Sequence, residues 1–277
     1  MPHHVGLIVM GENTLKDFQV FVKTLEVWHS DAHLYVYTDS KTPINSVKFK
    51  GTMHVNACLD MYTGKNRQEM EAIDGKIYKT LWTDFMYEKV AVLQWMLDTK
   101  GVSDTGAWFL DADITFLAPL PEIPETTTVA LSPHFIREMD EAKYGRYNGG
   151  FMWFKDKDLL DVWKKAGHTA RFYEQSALEE VAKVATRLYE FPIQVNFGWW
   201  RMFQSPRAPP EIQAKFSLFR AGKSLGIRYD GAPLQSIHTH WYQNDISPTG
   251  IFNSWIRAFV ERYKIHKPLS SFSRHIK

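Results

Sequence analysis

The stretch Trp108-Phe-Leu-Asp-Ala-Asp-Ile-Thr-Phe-Leu117 decides how the chain is read. Three apolar residues run into two carboxylates, Asp111 and Asp113, and three of the next four residues are apolar too. A run apolar on both faces predicts a strand buried on both sides, as in the middle of an α/β sheet. Two unpaired carboxylates are too costly to bury in such a place. Either they close the strand's end around a cation, or basic groups pair with them. Residues i and i+2 of an extended strand point the same way, so Asp111 and Asp113 can reach one hard divalent ion such as Mg2+ or Mn2+. The competing reading is an acidic turn whose carboxylates cap backbone N–H groups. Pro119 and Pro121 end the stretch in a loop.

The chain has 277 residues, 44% hydrophobic and 14% aromatic, enough for one large α/β domain or two small ones. A net charge of +2 implies no strong pull towards nucleic acid or an anionic membrane. Cys58 is the only cysteine, which excludes intramolecular disulfides and a cysteine-based zinc site and suits a reducing compartment. Met-Pro-His-His carries no basic flank, and Val5–Met10 is too short for a signal-peptide core. No stretch approaches the roughly 18 apolar residues of a membrane span. The expectation is a cytoplasmic protein. Ten tryptophans serve the core, and sugar-binding clefts also favour aromatic faces.

Outward from the acidic stretch, Val5–Met10 predicts a buried strand closed by Gly11-Glu12-Asn13. Asp17–Trp28 has helical spacing, His33–Thr38 is a second strand stopping at Asp39, and Val47–Leu59 holds a third. Strand, helix, strand, strand is the opening of a wound α/β sheet, in which ligands sit beyond the carboxyl ends of the strands, where Gly11 and Asp39 lie. Tyr62–Ile77 is polar and aperiodic and reads as a long loop. Ile77–Thr99 is a long helix with Lys89 inside its apolar stripe. That lysine snorkels, pairs with a carboxylate or faces a ligand. Thr127–Ser132 and Tyr147–Phe154 are further strands. Asn148-Gly149-Gly150 leaves the second without side-chain bulk, which permits close approach or a turn. Asp156–Lys165 and Glu174–Arg187 read as helices, Ser205–Gln213 as proline-rich loop, Leu234–Trp241 as a late strand and Phe252–Tyr263 as a closing helix, before a loosely held basic tail. His238 and His240 again use i, i+2 spacing. An imidazole can complete a two-aspartate site, and Mn2+ accepts nitrogen more readily than Mg2+.

The order of these motifs carries a resemblance: the strand into Asp111-Ala-Asp113, then Asn148-Gly-Gly-Phe-Met, then Glu174-Gln175, then Ile237-His238. It resembles the GT-A-fold nucleotide-sugar glycosyltransferases of the glycogenin and lipopolysaccharide galactosyltransferase type, from about Val5 to Trp241, as spaced motifs. The resemblance implies a wound mixed α/β sheet flanked by helices in a single domain over 1–277. A nucleotide-binding part would span about 1–118, an acceptor-binding part about 119–250, and a C-terminal helix and tail 251–277. It implies that Asp111, Asp113 and His238 bind Mn2+ (or Mg2+) bridging the diphosphate of a UDP-linked donor. Met10, Gly11, Asn13 and Asp39 would line the nucleotide pocket. Lys89 stands where these families place a basic residue, Ala112 lies inside the motif, and Asn148 and Gly149 would face the donor sugar. Glu174-Gln175 stands where the family has Asp-Gln, and the family's Gly and Lys-Pro-Trp after the histidine are replaced by His240-Trp241-Tyr242.

The chemistry agrees with the resemblance. Negative charge grows on a leaving diphosphate, and a carboxylate-held metal with a nearby lysine stabilises it. Asp113 and Glu174 are the catalytic candidates, Glu174 as the group acting at the acceptor hydroxyl or on the opposite sugar face. Trp199, Trp200 and Trp241 are candidates to stack on a glycan acceptor, with core packing the competing role. The stretch also matches the haloacid dehalogenase-like phosphatase signature. There Asp111 would be the nucleophile, and Asp156, Asp158 and Asp161 would have to supply the later acidic pair.

Overall fold

The computed structural model describes residues 2–204, 208–221, 224–242 and 247–262. In chain order the elements are β1 (His4–Ile8), α1 (Glu12–Leu25), β2 (His33–Thr38), β3 (Thr52–Ala57), α2 (Arg67–Glu71), α3 (Leu81–Leu97), α4 (Val102–Thr105) and β4 (Ala107–Leu110). There follow β5 (Ile114–Phe116), β6 (Val129–Pro133), α5 (Glu138–Tyr144), β7 (Tyr147–Phe154), α6 (Asp158–Gly167), α7 (Leu178–Val184) and β8 (Leu188–Glu190). Last come β9 (Phe197–Gly198), α8 (Ala208–Ala214), β10 (Phe216–Ala221), β11 (Ser224–Tyr229), β12 (Ala232–Pro233), β13 (Ser236–His238) and α9 (Ser247–Arg262). The described residues form two compact units, one within 2–11, 31–111 and 123–191, the other within 12–30, 112–122 and 192–262.

The first unit is built on a seven-stranded sheet in the order β3-β2-β1-β4-β7-β6-β8, in which β7 alone runs against its neighbours. This is the wound, mainly parallel α/β sheet flanked by helices that the sequence predicts. All four residues of β4 and all eight of β7 are buried, which is why both read as unbroken apolar runs. Gly6 of β1 sits opposite Phe109, and a Cβ there would lie 2.4 Å from Val92 Cγ1, so its bareness lets α3 settle on the sheet. The core between α3, α6, α7 and the sheet holds Val92, Leu93, Met96, Phe109, Met152, Phe154 and Trp163.

The second unit has two small sheets, β5-β13-β9 and β10-β11-β12, with α1 and α9. Its core gathers Val20, Leu117, Phe197, Ile237, Trp241, Phe252 and Ile256. The Thr24 hydroxyl on α1 accepts the Phe116 N–H at 3.1 Å, tying the helix to β5.

Several expectations change. Trp108–Leu117 is two strands, not one. Asp111 still donates its N–H to Gly150 O in the large sheet, whereas Ile114 pairs with His238 in a small one. The acids therefore lie in the turn between β4 and β5, and the extended i, i+2 geometry does not apply to them. The aperiodic 62–77 segment contains α2, started by an Asn66/Glu69 capping box. Glu174–Arg187 narrows to α7, and Leu188–Glu190 leaves it to pair with β6. Pro209 and Pro210 sit in the first turn of α8, where proline is tolerated, so most of the expected loop is helix. Residues 205–207, Tyr263 and the basic tail lie outside the described residues.

Candidate functional site

Two clusters of buried ionisable groups stand out, one in each unit. In the first, Lys89 of α3 is 4% exposed. Its ammonium donates to Glu174 Oε1 at 2.8 Å and to Gly149 O at 2.9 Å, and lies 3.4 Å from Asp111 Oδ1. Snorkelling, one of the readings of this lysine, is thereby replaced by pairing with carboxylates. Burial pulls the lysine towards losing its proton, but Asp111 and Glu174 outweigh it and hold the ammonium above its ordinary range. At Glu174 burial is the larger influence and raises the carboxyl above the usual value, against the pull of Lys89. The Glu174 carbonyl accepts the Trp163 indole N–H at 2.7 Å, so the backbone beneath the carboxylate is fixed from the core. Gly149 is glycine for a local reason. A Cβ there would stand 2.7 Å from Glu174 Oε1, the oxygen that Lys89 binds.

In the second unit the Asp113 carboxylate takes an imidazole at each oxygen. His238 Nε2 lies 3.2 Å from Oδ1 and His240 Nδ1 lies 3.1 Å from Oδ2. The His240 ring is not aimed along a hydrogen bond, and Oδ2 is buried without one among the described residues. Asp113 is 5% exposed. Burial would raise its carboxyl, yet the two imidazoles overcome this and hold it well below the carboxylate range. His238 Nδ1 is 3.1 Å from Asn196 Oδ1. If that nitrogen carries the proton and donates, Nε2 is left with its lone pair facing Asp113. A lone pair facing a carboxylate is repulsive unless a proton or a cation lies between them. A buried carboxylate, an imidazole beside it and a carboxylate oxygen without a hydrogen bond among the described residues are the donor types that hold a divalent transition metal, so these residues fit one.

Behind them Asp17 of α1, 2% exposed, accepts the Trp241 N–H at 2.9 Å and lies 4.0 Å from His240 Nδ1. Burial first, and then the nearby Asp113 charge, push its carboxyl up to about 8. Asn253 of α9 donates to His240 O and accepts from the Thr239 hydroxyl, which holds this strand end in place.

The remaining candidate residues are placed as follows. Gly11 has φ +82° and donates its N–H to the Thr42 hydroxyl. Asp39, 4% exposed, accepts from Thr42 N–H and the Thr63 hydroxyl, so it braces the loops beyond β2. Met10 packs on the small cluster of Leu59, Tyr62, Met70 and Leu81. Asn13 is exposed in the first turn of α1, and Ala112 is buried. Asn148 Oδ1 accepts the Gly150 N–H, and Gln175 donates to Tyr144 O. Trp200 stands edge-on to His238, with ring centroids 5.1 Å apart, and Trp199 packs partly buried on the second core. Trp241 is a correction. It is fully buried, with its indole N–H donated to Thr115, so it is a core residue and cannot stack on an acceptor. The phosphatase reading fails on register. Leu110 pairs with Phe151 and Ala107 with Phe154, so Asp156, Asp158 and Asp161 follow the opposite end of the strands from Asp111.

Asp17 and Asn196 were not singled out by the sequence reading. Asp17 carries no signal there, since it stands among Asn13, Thr14, Lys16 and Gln19 and reads as a solvated acid of a helix start; Asn196, between Val195 and Phe197, carries a weak one as a polar residue between apolar neighbours. Among the described residues no helix is long and apolar enough to cross a membrane.

With this geometry in place, the fold is that of the GT-A glycosyltransferases. The structure of the galactosyltransferase LgtC in complex with donor and acceptor sugar analogues superposes with a TM-score of 0.50 at 12% identity, over 85% of this chain and 86% of that one. Below that level are the glycosyltransferase GlyE of Streptococcus pneumoniae (TM-score 0.47, 14% identity, 85% of this chain) and the bifunctional WbbM (0.46, 8%, 71%). The chain spans 54% of the length of GlyE and 40% of that of WbbM. No protein-family model matches the chain, and no curated protein matches it in sequence.

Proposed function

We propose that the protein is a metal-dependent glycosyltransferase that moves a sugar from a nucleotide-diphosphate sugar, UDP-linked, to a hydroxyl acceptor on a glycan. The observation that carries this reading is the Asp113–His238 pair, a buried carboxylate and an imidazole 3.2 Å apart with Asn196 on the far ring nitrogen. Asp111 is separated from Asp113 by one residue, and two peptide links span at most about 7 Å, so both carboxylates can serve one ion. Mn2+ or Mg2+ held by Asp111, Asp113 and His238 would supply charge neutralisation at the leaving diphosphate.

The chain's own groups have separate tasks. Lys89 keeps Asp111 and Glu174 oriented and offsets their charge. Asn148 and Gly149 face the donor sugar, Gly149 also leaving room for the Glu174 carboxylate beside it, and Glu174 acts at the sugar or the acceptor hydroxyl. Gly11 and Asp39, at the ends of β1 and β2, flank the nucleotide, as ligand sites in wound sheets do. Of the three tryptophans we assign the sugar contact to Trp200, which is partly buried beside His238. LgtC, whose structure holds donor and acceptor sugar analogues, has the same fold, which supports the reading without deciding the donor. The test is a panel of nucleotide sugars with Mn2+, read by thermal stabilisation and by donor hydrolysis without acceptor. The expected result is stabilisation by UDP or a UDP-sugar only when Mn2+ is present. If no nucleotide sugar binds with metal present, the assignment is wrong.

A further inference from the structure

We propose that His33 and His54, with His4 beside them, form a second metal site on the edge of the large sheet, for imidazole-seeking divalent ions such as Zn2+, Ni2+ or Cu2+. The strands set the geometry. His4 of β1 is in register with His33 of β2, and Tyr35, two residues further on the same face, is in register with His54 of β3. The three imidazoles thus form a row across the last three strands, with ring centroids 5.1 Å apart for His4 and His33 and 5.8 Å for His33 and His54.

His33 Nδ1 and His54 Nε2 stand 3.5 Å apart. Two nitrogens bound to one tetrahedral ion at about 2.0–2.1 Å are about 3.4 Å apart, so the pair is already at chelating distance. With a proton on either of these nitrogens, that one donates to the other. The ion takes the place of that hydrogen and the donor ring moves its proton to its other nitrogen, so neutral rings release no net proton.

The surroundings favour neutral rings. Burial first, then the neighbouring imidazoles, hold His4 and His54 below the ordinary histidine range. The Tyr35 hydroxyl lies 3.4 Å from His4 Nδ1, and the Tyr35 ring stacks on His54 with centroids 4.6 Å apart, so the row is held from the helix side by Tyr35 and Trp95. A nitrogen-only donor set takes Zn2+, Ni2+ or Cu2+ and leaves Mg2+ and Mn2+ to carboxylates, which separates this site from the acidic one by metal class. Binding would staple the edge strand β3 to β2.

The experiment is calorimetric titration of Zn2+ into the full chain carrying Asp113→Asn, which cripples the acidic site. One zinc should still bind. Adding His33→Gln or His54→Gln should weaken it on the order of tenfold or more, and His168→Gln, a distant exposed histidine, should not. Loss of zinc binding with Asp113→Asn alone, or zinc binding unmoved by both glutamines, overturns the proposal. A second readout needs no substitution. Zinc should shift the imidazole 15N resonances of His33 and His54 in the unaltered protein, and a shift confined to His238 and His240 refutes the site. Neither result depends on the enzyme reading, which stands or falls on Mn2+ and UDP.

Discussion

The two ionisable clusters solve the same problem in opposite ways. In the first unit the cation is built in: Lys89, fully enclosed, faces Asp111 and Glu174 and needs nothing from solution. In the second unit the described groups that touch Asp113 and Asp17 are imidazoles and backbone N–H groups, with Arg257 acting on Asp17 more weakly than burial and the Asp113 charge, so further positive charge has to arrive as protons or as an ion. A fixed lysine makes a structural support whose charge does not vary near neutral pH. A pair of acids among histidines makes a place whose charge depends on what binds. The first cluster is therefore expected to set stability while it holds Asp111 and Glu174 in position, and the second to answer to metal and pH.

The largest test of that division is Asp113→Ala. It should abolish metal-dependent UDP binding and lower transfer by about 10²–10³-fold, the range seen when one group stabilising transition-state charge is removed. Calorimetry with Mn2+ and circular dichroism should show binding lost and fold kept. Lys89→Met reverses the pattern. The buried Glu174 carboxylate and the partly exposed Asp111 lose their cation, and the uncompensated Glu174 charge should cost about 3–5 kcal/mol in denaturant unfolding. The double change Lys89→Met, Glu174→Leu should recover part of it, because the buried charge leaves with its partner.

Asp17 gives the pH signature of the second cluster. Its carboxyl titrates at about 8 folded against the ordinary 3.8, so between these values the folded state holds a proton that the unfolded chain has lost. Stability from this group is full below the unfolded value and falls as pH rises towards 8, by at most about 1.4 kcal/mol per pH unit. Asp17→Asn should flatten the decline of melting temperature between pH 5 and 8. An equally steep decline in the variant would assign the effect elsewhere.

Much of the first unit was legible because its strands are short apolar runs. His33–Thr38 and Tyr147–Phe154 have the bounds read from the sequence, and β1 and β6 lie within two residues of theirs. The candidate residues legible in the sequence are charges placed where burial forbids them, such as Lys89 in a helical stripe and Asp113 beside a core strand. Partners were not legible, because they are remote in the chain. Asn196 meets His238 across 42 residues, and Asp17 meets Trp241 across 224. Nor could the sequence show that Trp108–Leu117 leaves one sheet and enters another, since β4 and β5, with only Thr115 polar between them apart from the acids, both read as core strand. The β10–β11 hairpin was passed over, although Phe216, Leu218, Ile227 and Tyr229 alternate along its strands as a half-buried pair should.

The smallest expected effect is the most discriminating. Asn196 would not touch the ion; its Oδ1 would only hold the proton on His238 Nδ1, so that Nε2 would turn its lone pair towards the ion. Removing such a partner weakens metal binding by about 10–100-fold. Asn196→Ala should do so for Mn2+, whereas Asn196→Asp, which keeps an oxygen opposite Nδ1–H and makes the ring a stronger donor, should restore it. A loss caused by the buried cavity alone would lower the melting temperature of the alanine variant and leave the Mn2+ affinity of its folded fraction unchanged. Affinity that falls with alanine and returns with aspartate means that the tautomer of His238 is set for a cation. If neither variant moves Mn2+ affinity, His238 faces Asp113 as a protonated partner, and the second cluster becomes a fixed ion pair like the first.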